Sequence, residues 1–281
     1  MINTSLLNDA EIKASVEIAL AEDIGSGDLT AALVSNKPVV ANLICREEAV
    51  LSGRPWFDSC FKLLDDSISI DWKLNDGASM HRNDVICQIQ GPARPILTAE
   101  RTALNYLQTL SAVATTTRQY VDAVAGTGCI ILDTRKTLPG LRKAEKYAVS
   151  CGGGQNHRIG LYDAILIKEN HIHEAGSVCQ ALKQATKTVD AEVLIEIEVE
   201  NLVQLKQAIE CGAKRVLLDN FPLKTIPEAV AMAGSTVETE VSGNVTLANV
   251  KSIANCGVNY VSIGALTKNV QAIDMSLLFA F

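Results

Sequence analysis

The chain has 281 residues, enough for one large or two modest domains, and its 48% hydrophobic and 20% charged residues are an ordinary globular balance. A formal net charge of -7 excludes general nucleic-acid binding, which needs a broad basic face. No apolar run approaches the roughly 20 residues of a membrane helix, and the N-terminal Met1-Ile-Asn-Thr-Ser lacks the basic and apolar regions of a secretory signal, so a cytoplasmic protein is expected.

In chain order, the pattern predicts a helix over Asp9–Ala21, an acidic turn at Glu22-Asp-Ile-Gly-Ser-Gly-Asp28, and short strands over Val39–Arg46 and Asp84–Gln90. A long helix over Thr98–Thr117 follows, with Thr98-Ala-Glu100 read as its N-cap and acidic first turn. From residue 129 the rhythm changes. Strands are expected at Cys129–Leu132, Ala164–Ile167, Val193–Val199, Arg215–Leu218, Thr236–Val241 and Tyr260–Ile263. Between them lie helical patterns at Leu141–Ser150, Ser177–Thr188, Leu202–Cys211, Pro222–Ala233 and Leu247–Asn255, with Gly212, Gly234 and Gly257 as C-terminal caps. Strands alternating with helices imply parallel strands joined by right-handed crossovers. Six such strands without a Gly-x-Gly-x-x-Gly turn favour a barrel over a dinucleotide-binding sheet. The expected domains are an N-terminal α+β unit over 1–108 and a barrel over 109–269, with 270–281 packing back on the first.

Polar residues recur at the predicted strand ends: Asp133, Lys168, Glu198, Asp219, Ser242-Gly243 and Gly264. Barrel enzymes build their sites at the C-terminal ends of strands, so this register points to an enzyme. The segment Asp133–His171 adds seven Lys/Arg and two His against four acids, a cationic island in an acidic chain. Its expected partner is a small, densely anionic substrate.

Arg135-Lys136 directly follow a strand, and His157-Arg158 follow the run Gly152-Gly-Gly154. A guanidinium fork with a His donor suits a carboxylate. Lys168 is open to three readings: a Schiff-base amine, a phosphate or leaving-group contact, or an ion pair with Glu198 or Asp219. Glu198 and Asp219 can hold Mg²⁺, orient a ribose, do acid–base work, or pair with Lys168 or Arg135. Glu196 lies two residues before Glu198 and therefore faces the same way. Ser242-Gly243-Asn244 and Gly264-Ala265 offer backbone N–H groups to a phosphate, or simply make tight turns. No Walker motif is present, which argues against a P-loop ATPase. His171-Ile-His173 is read as a loop feature rather than a zinc site. Eight scattered cysteines, Cys45, Cys60, Cys87, Cys129, Cys151, Cys179, Cys211 and Cys256, are read as reduced core thiols.

Several of these segments together resemble the quinolinate phosphoribosyltransferases. They are Asp133-Thr-Arg-Lys-Thr-Leu-Pro-Gly-Leu-Arg142, Glu145-Lys-Tyr-Ala-Val149, Asn156-His-Arg158, Ile167-Lys-Glu-Asn-His171, Glu196-Ile-Glu198, Leu217-Leu-Asp-Asn220, Glu240-Val-Ser-Gly-Asn244 and Gly264-Ala-Leu-Thr267. Glu22–Thr30 and Glu100-Arg-Thr-Ala-Leu-Asn105 extend the likeness into the first half.

The resemblance implies an N-terminal α/β sandwich joined to an open six- or seven-stranded α/β barrel, the type II phosphoribosyltransferase architecture. It implies conversion of quinolinate and phosphoribosyl pyrophosphate (PRPP) to nicotinate mononucleotide, pyrophosphate and CO₂ in de novo NAD synthesis. The enzyme would be a homodimer or a higher assembly of dimers. By motif, Arg135, His157 and Arg158 would bind the quinolinate carboxylates, with Arg101 entering from the partner subunit. Lys136 and Lys168 would lie between quinolinate and PRPP. Glu198 and Asp219 would face the ribose hydroxyls and Mg²⁺, itself held mainly through PRPP. Ser242, Gly243 and Gly264 would hold the 5′-phosphate.

The chain departs from the pattern at Ala112, where Ser-Gly is frequent, at Gln155, and at Lys268, where a His often follows Ala-Leu-Thr. Lys268 would meet PRPP phosphate as a point charge. The alternatives are a related transferase for another acidic base such as nicotinate, a barrel lyase using Lys168 as a Schiff base, and a non-catalytic anion-binding barrel.

Overall fold

The computed structural model describes residues 2–280. In chain order the elements are α1 (Asp9–Ile24), β1 (Pro38–Cys45), β2 (Ala49–Val50), α2 (Arg54–Leu64), β3 (Ser69–Trp72), β4 (Ser79–Met80), β5 (Val85–Pro92) and α3 (Ala93–Ala123). Then come β6 (Ile130–Leu132), α4 (Arg142–Cys151), β7 (Ala164–Ile167), α5 (Glu169–Ala175), α6 (Val178–Thr188), β8 (Leu194–Val199), α7 (Leu202–Glu210) and β9 (Arg215–Asp219). The chain continues through α8 (Ile226–Ala233), β10 (Glu238–Ser242), α9 (Val250–Ala254), β11 (Tyr260–Ser262), α10 (Ala265–Lys268) and β12 (Met275–Phe279). Among the described residues, no helix is long and apolar enough to cross a membrane.

Two compact units divide the chain. One holds the residues up to Arg118, Leu138–Gly153 and the stretch from Leu266 onward; the other holds Gln119–Thr137 and Gly154–Ala265. The expected division at 108/109 falls inside α3, and α4, read as part of the barrel, groups with the first unit.

The first unit carries an antiparallel sheet ordered β12-β1-β5-β3. The C-terminal β12 adds to the edge of β1, with Leu277 opposite Leu43. On this sheet α2 buries Trp56, Phe57, Cys60 and Phe61, the i, i+1, i+4 and i+5 face of an amphipathic helix. Phe57 meets Trp72 edge-on, with ring centroids 5.2 Å apart, and the Trp72 indole N–H donates to Asp58 at 2.8 Å. The long helix starts five residues before the expected Thr98 cap. Its first amides find partners upstream instead: Ala93 N donates to the Lys37 carbonyl, and Arg94 N to the Asn36 side chain. Thr98 lies inside the helix, and its hydroxyl donates to Asp28 at 2.8 Å.

The second unit is a parallel six-stranded sheet ordered β6-β11-β10-β9-β8-β7. Each strand neighbours its successor in the chain except β6 and β7, which form the two edges, so the barrel is open there. A single parallel bridge from Leu132 to Gln155 lies on the β6 edge. Alternation sets the two faces: Ile197 and Val199 are wholly buried, while Glu196 and Glu198 share the opposite, interior face. The helices follow from their patterns. α6 buries Val178, Ala181, Leu182 and Ala185 and is capped by Ser177, whose hydroxyl accepts from Gln180 N. Asn201 caps α7 in the same way. α8 starts at Ile226 rather than Pro222 because Pro227, with no N–H to give, fits only the first turn.

Two further expectations fail. His171-Ile-His173 is not a loop but part of α5, where the His171 Nδ1 accepts from Lys168 N at 2.9 Å as a helix-capping group. Cys179 and Cys211 are not separate thiols. The first sits on α6 and the second directly follows α7; their Cα atoms are 5.4 Å apart, and they form a disulfide. The remaining cysteines are free, and all but Cys256 are buried.

Candidate active site

At the C-terminal ends of the barrel strands lies a cavity of about 320 Å³, walled by Arg135, Lys136, His157, Arg158, Lys168 and Glu198, with Glu240, Ser242 and Ser262 also facing it. Four of these side chains are cations, drawn from the β6 end, the segment before β7, and the β7 end. Burial and the nearby Arg135 both depress the Arg158 guanidinium, while its Nη1 approaches the Ala164 carbonyl at 3.4 Å. Guanidiniums this close repel one another, and an anion between them relieves the repulsion.

Asp133, wholly buried at the end of β6, organises the second cationic pair. One oxygen accepts from His157 N at 2.8 Å and the other from the Asn156 amide at 2.7 Å. The His157 Nδ1 in turn accepts from Arg158 N at 2.7 Å, and Nε2 meets Glu196 Oε2 at 2.8 Å. An acceptor at Nδ1 assigns the ring proton to Nε2. His157 therefore lines the cavity with both ring nitrogens already engaged by the protein.

Beneath it sit two carboxylates in the barrel interior, Glu196 on β8 and Glu240 on β10, both fully buried. Burial pushes the Glu196 carboxyl up to about 7, with Arg215 and Arg158 pulling it down. Burial, reinforced by the Glu196 charge, pushes Glu240 up to about 8. One oxygen of each and a His157 ring nitrogen lie within 4.8 Å of one another. Two carboxylates so placed do not both ionise readily, so the cavity floor retains a proton instead of a double negative charge. A nitrogen carrying that ring proton is not available as a metal ligand.

The opposite rim is acidic and glycine-shaped. The Lys168 ammonium pairs with Glu198 at 2.8 Å. Asp219 ends β9 beside Ser242, its partner in register. Its carboxyl is raised by burial and by the Glu198 charge, and lowered by hydrogen bonding to Asn220 and by the charges of Lys168 and Lys136. Two neighbouring carboxylates, offering oxygen donors at a partly open rim, suit a hard divalent ion such as Mg²⁺. Asn220, Gly243 and Asn244 all have positive φ, 54°, 97° and 51°. The Asn244 amide donates to Asn220 Oδ1 at 3.2 Å, and the Asn220 amide to Asp219 at 2.9 Å, lacing the two turns together. At Gly264 a Cβ would stand 2.9 Å from Lys136 Cδ, so the glycine makes room for the lysine stem.

The structure thus gathers Arg135, Lys136, His157, Arg158, Lys168, Glu198 and Ser242 around one cavity, with Asp219, Gly243 and Gly264 at its strand ends. Arg101 and Lys268 belong to the other compact unit; both are exposed, Arg101 on α3 and Lys268 at the end of α10. Glu240 and the clamping role of Asp133 were missed from the sequence. The signal for Glu240 was present in Glu238-x-Glu240-x-Ser242, whose period of two points it inward with Ser242.

Comparison with known proteins places this geometry. Residues 28–111 match the N-terminal domain, and residues 113–278 the C-terminal domain, of quinolinate phosphoribosyl transferase. The chain is 39% identical over 272 residues to a probable nicotinate-nucleotide pyrophosphorylase (carboxylating) of Bacillus subtilis, covering 96% of this chain and 94% of that protein. It is 40% identical over 288 residues to a chloroplastic nicotinate-nucleotide pyrophosphorylase of Oryza sativa, covering 95% of this chain and 77% of that protein. The solved structure of the nicotinate-nucleotide pyrophosphorylase from Francisella tularensis superposes with a TM-score of 0.94 at 44% identity, covering 98% of both chains. With both domains matched in order and a cation-lined cavity at the barrel strand ends, this chain belongs to the quinolinate phosphoribosyltransferase family.

Proposed function

We propose that the protein transfers the phosphoribosyl group of PRPP to the ring nitrogen of quinolinate, releasing pyrophosphate and CO₂ and forming nicotinate mononucleotide for NAD synthesis. The observation that carries this reading is one cavity lined by four cations, Arg135, Lys136, Arg158 and Lys168, together with the Glu198 carboxylate, with Asp219 at the neighbouring β9 end. Quinolinate brings two carboxylates and PRPP several phosphate charges, so both demand fixed cations in a sheltered site. Arg135 and Arg158 are the forks for the carboxylates, and Lys136 and Lys168 lie on the side of PRPP.

Displacement of pyrophosphate builds positive charge on the ribose, and the fixed carboxylates of Glu198 and Asp219 face that charge. The same two acids would hold Mg²⁺ together with the pyrophosphate of PRPP, and bound Mg²⁺ would neutralise the departing group. Ser242, Gly243 and Gly264 offer backbone N–H groups to the 5′-phosphate; the left-handed turns at Gly243 and Asn244 support this. Ribosylation makes the ring nitrogen cationic; the adjacent carboxylate then leaves as CO₂, its bonding electron pair stays on C2 beside the positive nitrogen, and C2 takes up a proton from solvent. No nucleophilic side chain is required, only orientation and charge.

A Schiff-base lysine needs a neutral, desolvated amine. Lys168 is half exposed and ion-paired with Glu198, so its amine is not desolvated. Dimers or assemblies of dimers with shared sites, and a cytoplasmic setting, complete the proposal. The test is an assay of purified protein with Mg²⁺ and PRPP, comparing quinolinate with nicotinate and following nicotinate mononucleotide and CO₂. Turnover of quinolinate is expected. Turnover of nicotinate alone, or PRPP binding without product, would overturn the reading.

A further inference from the structure

His157 lines the cavity, yet its geometry is not that of a ligand donor. Its Nδ1 accepts from Arg158 N at 2.7 Å. Its Nε2 faces Glu196 Oε2 at 2.8 Å, with Glu240 Oε2 at 3.7 Å. The side chain is 8% exposed, Glu196 1% and Glu240 0%. A ring with an acceptor at Nδ1 carries its proton at Nε2, and that proton points into the barrel interior. It has no N–H left for a carboxylate in the cavity. What it does hold is the backbone of Arg158, whose guanidinium lines the same cavity.

Resting on the function proposed above, we infer that Glu196 is a positioning residue for quinolinate: by accepting the His157 Nε2 proton beneath the cavity floor, with Glu240 beside it at 3.7 Å, it locks the ring that fixes the Arg158 backbone, and so aims the guanidinium at a substrate carboxylate. Asp133 completes the clamp by holding His157 N at 2.8 Å. Barrel interiors are ordinarily packed with branched apolar side chains, so two buried glutamates beneath a histidine call for a specific task. The hydrogen bond to a buried ring supplies one, because a ring without that acceptor is free to rotate away from Arg158 N.

The test is steady-state kinetics on the full-length enzyme. Glu196→Gln keeps an oxygen acceptor for Nε2–H, and Glu196→Leu keeps the volume without the acceptor. E196L is expected to raise KM for quinolinate at least about tenfold, as loss of a buried hydrogen bond does, and to leave KM for PRPP within about twofold. E196Q is expected to stay within about threefold of wild type for both substrates. Equal changes in the two KM values, an unaffected E196L, or an E196Q as damaged as E196L would overturn the inference.

A second measurement does not depend on how E196L folds. Nitrogen NMR of histidine-labelled wild type is expected to show His157 with bare Nδ1 and protonated Nε2, both free and with quinolinate bound. A doubly protonated ring in the quinolinate complex would overturn the inference. Failure of the wild type to use quinolinate with PRPP would instead defeat the proposed function itself, so the two failures are distinguishable.

Discussion

Gly243 and Gly264 close successive strand ends for different physical reasons, and the difference is measurable. Gly243 has φ of 97°, and a Cβ there would lie 2.1 Å from Asn220 Oδ1 and 3.2 Å from its backbone N. Relief would require moving backbone, so Gly243→Ala should destabilise the fold by about 1–3 kcal/mol, visible as a lower thermal midpoint. Gly264 has no such conformation, and its added Cβ would meet the stem of Lys136. Gly264→Ala should therefore leave the thermal midpoint nearly unchanged while lowering kcat/KM roughly tenfold, because Lys136 must move out of place. Activity loss in step with stability loss in both variants would refute the distinction. At Arg158, replacement by Ala removes a guanidinium from the quinolinate side alone. KM for quinolinate should rise roughly 30-fold, the equivalent of a ~2 kcal/mol hydrogen bond to a charged group, with far less change for PRPP. Equal losses for both substrates would contradict the assignment.

β8 and β10 carry their acids inward by alternation, and that placement makes stability depend on pH. The Glu240 carboxyl is raised to about 8 by burial and the neighbouring Glu196 charge, from an ordinary value of 4.5, with His157 and Ser262 opposing. The folded state thus binds a proton that the unfolded state has released. The stability linked to this group is fully present below the ordinary value and is lost as pH rises through about 8. Thermal midpoints of the wild type should fall between about pH 5 and about pH 9, and Glu240→Gln, which cannot ionise, should fall less. Parallel curves for the two proteins would show that Glu240 does not titrate in this window. Helix elements show how local rules can mislead. Thr98-Ala-Glu100 has the composition of a helix start, but Asn36 and Lys37 supply the partners that let α3 begin at Ala93. A cap provided from a distant loop leaves no local trace.

For the whole molecule, the consequential fact is that the expected site residues divide between two units. Arg101 and Lys268 lie in one; the cavity residues lie in the other. If each site in a dimer borrows Arg101 from its partner, Arg101→Ala and Lys136→Ala proteins, each inactive alone, should regain about a quarter of wild-type activity when mixed, since half the dimers then carry one intact site. Demonstrated subunit exchange with a mixture that stays inactive would exclude sharing. The pairing of Cys179 with Cys211 belongs to this scale as well. These residues are 32 apart in sequence and approach only because α6 and α7 pack side by side on adjacent barrel strands.

The sequence alone determined the six barrel strands, their parallel order and the acidic and cationic register at their ends. Alternation, helix period and glycine stops are local properties that a parallel barrel repeats unit by unit. It also located Arg135, Lys136, Arg158, Lys168, Glu198 and Asp219, because residues at strand ends converge whatever the details of packing. Only the tertiary structure decided that His157 turns its protonated nitrogen to Glu196, that Asp133 clamps Asn156 and His157, and that Cys179 meets Cys211. Each of these depends on distances between separate elements, and burial then changes what the groups do: a carboxylate facing water is an anion, whereas one sealed under a histidine holds on to its proton.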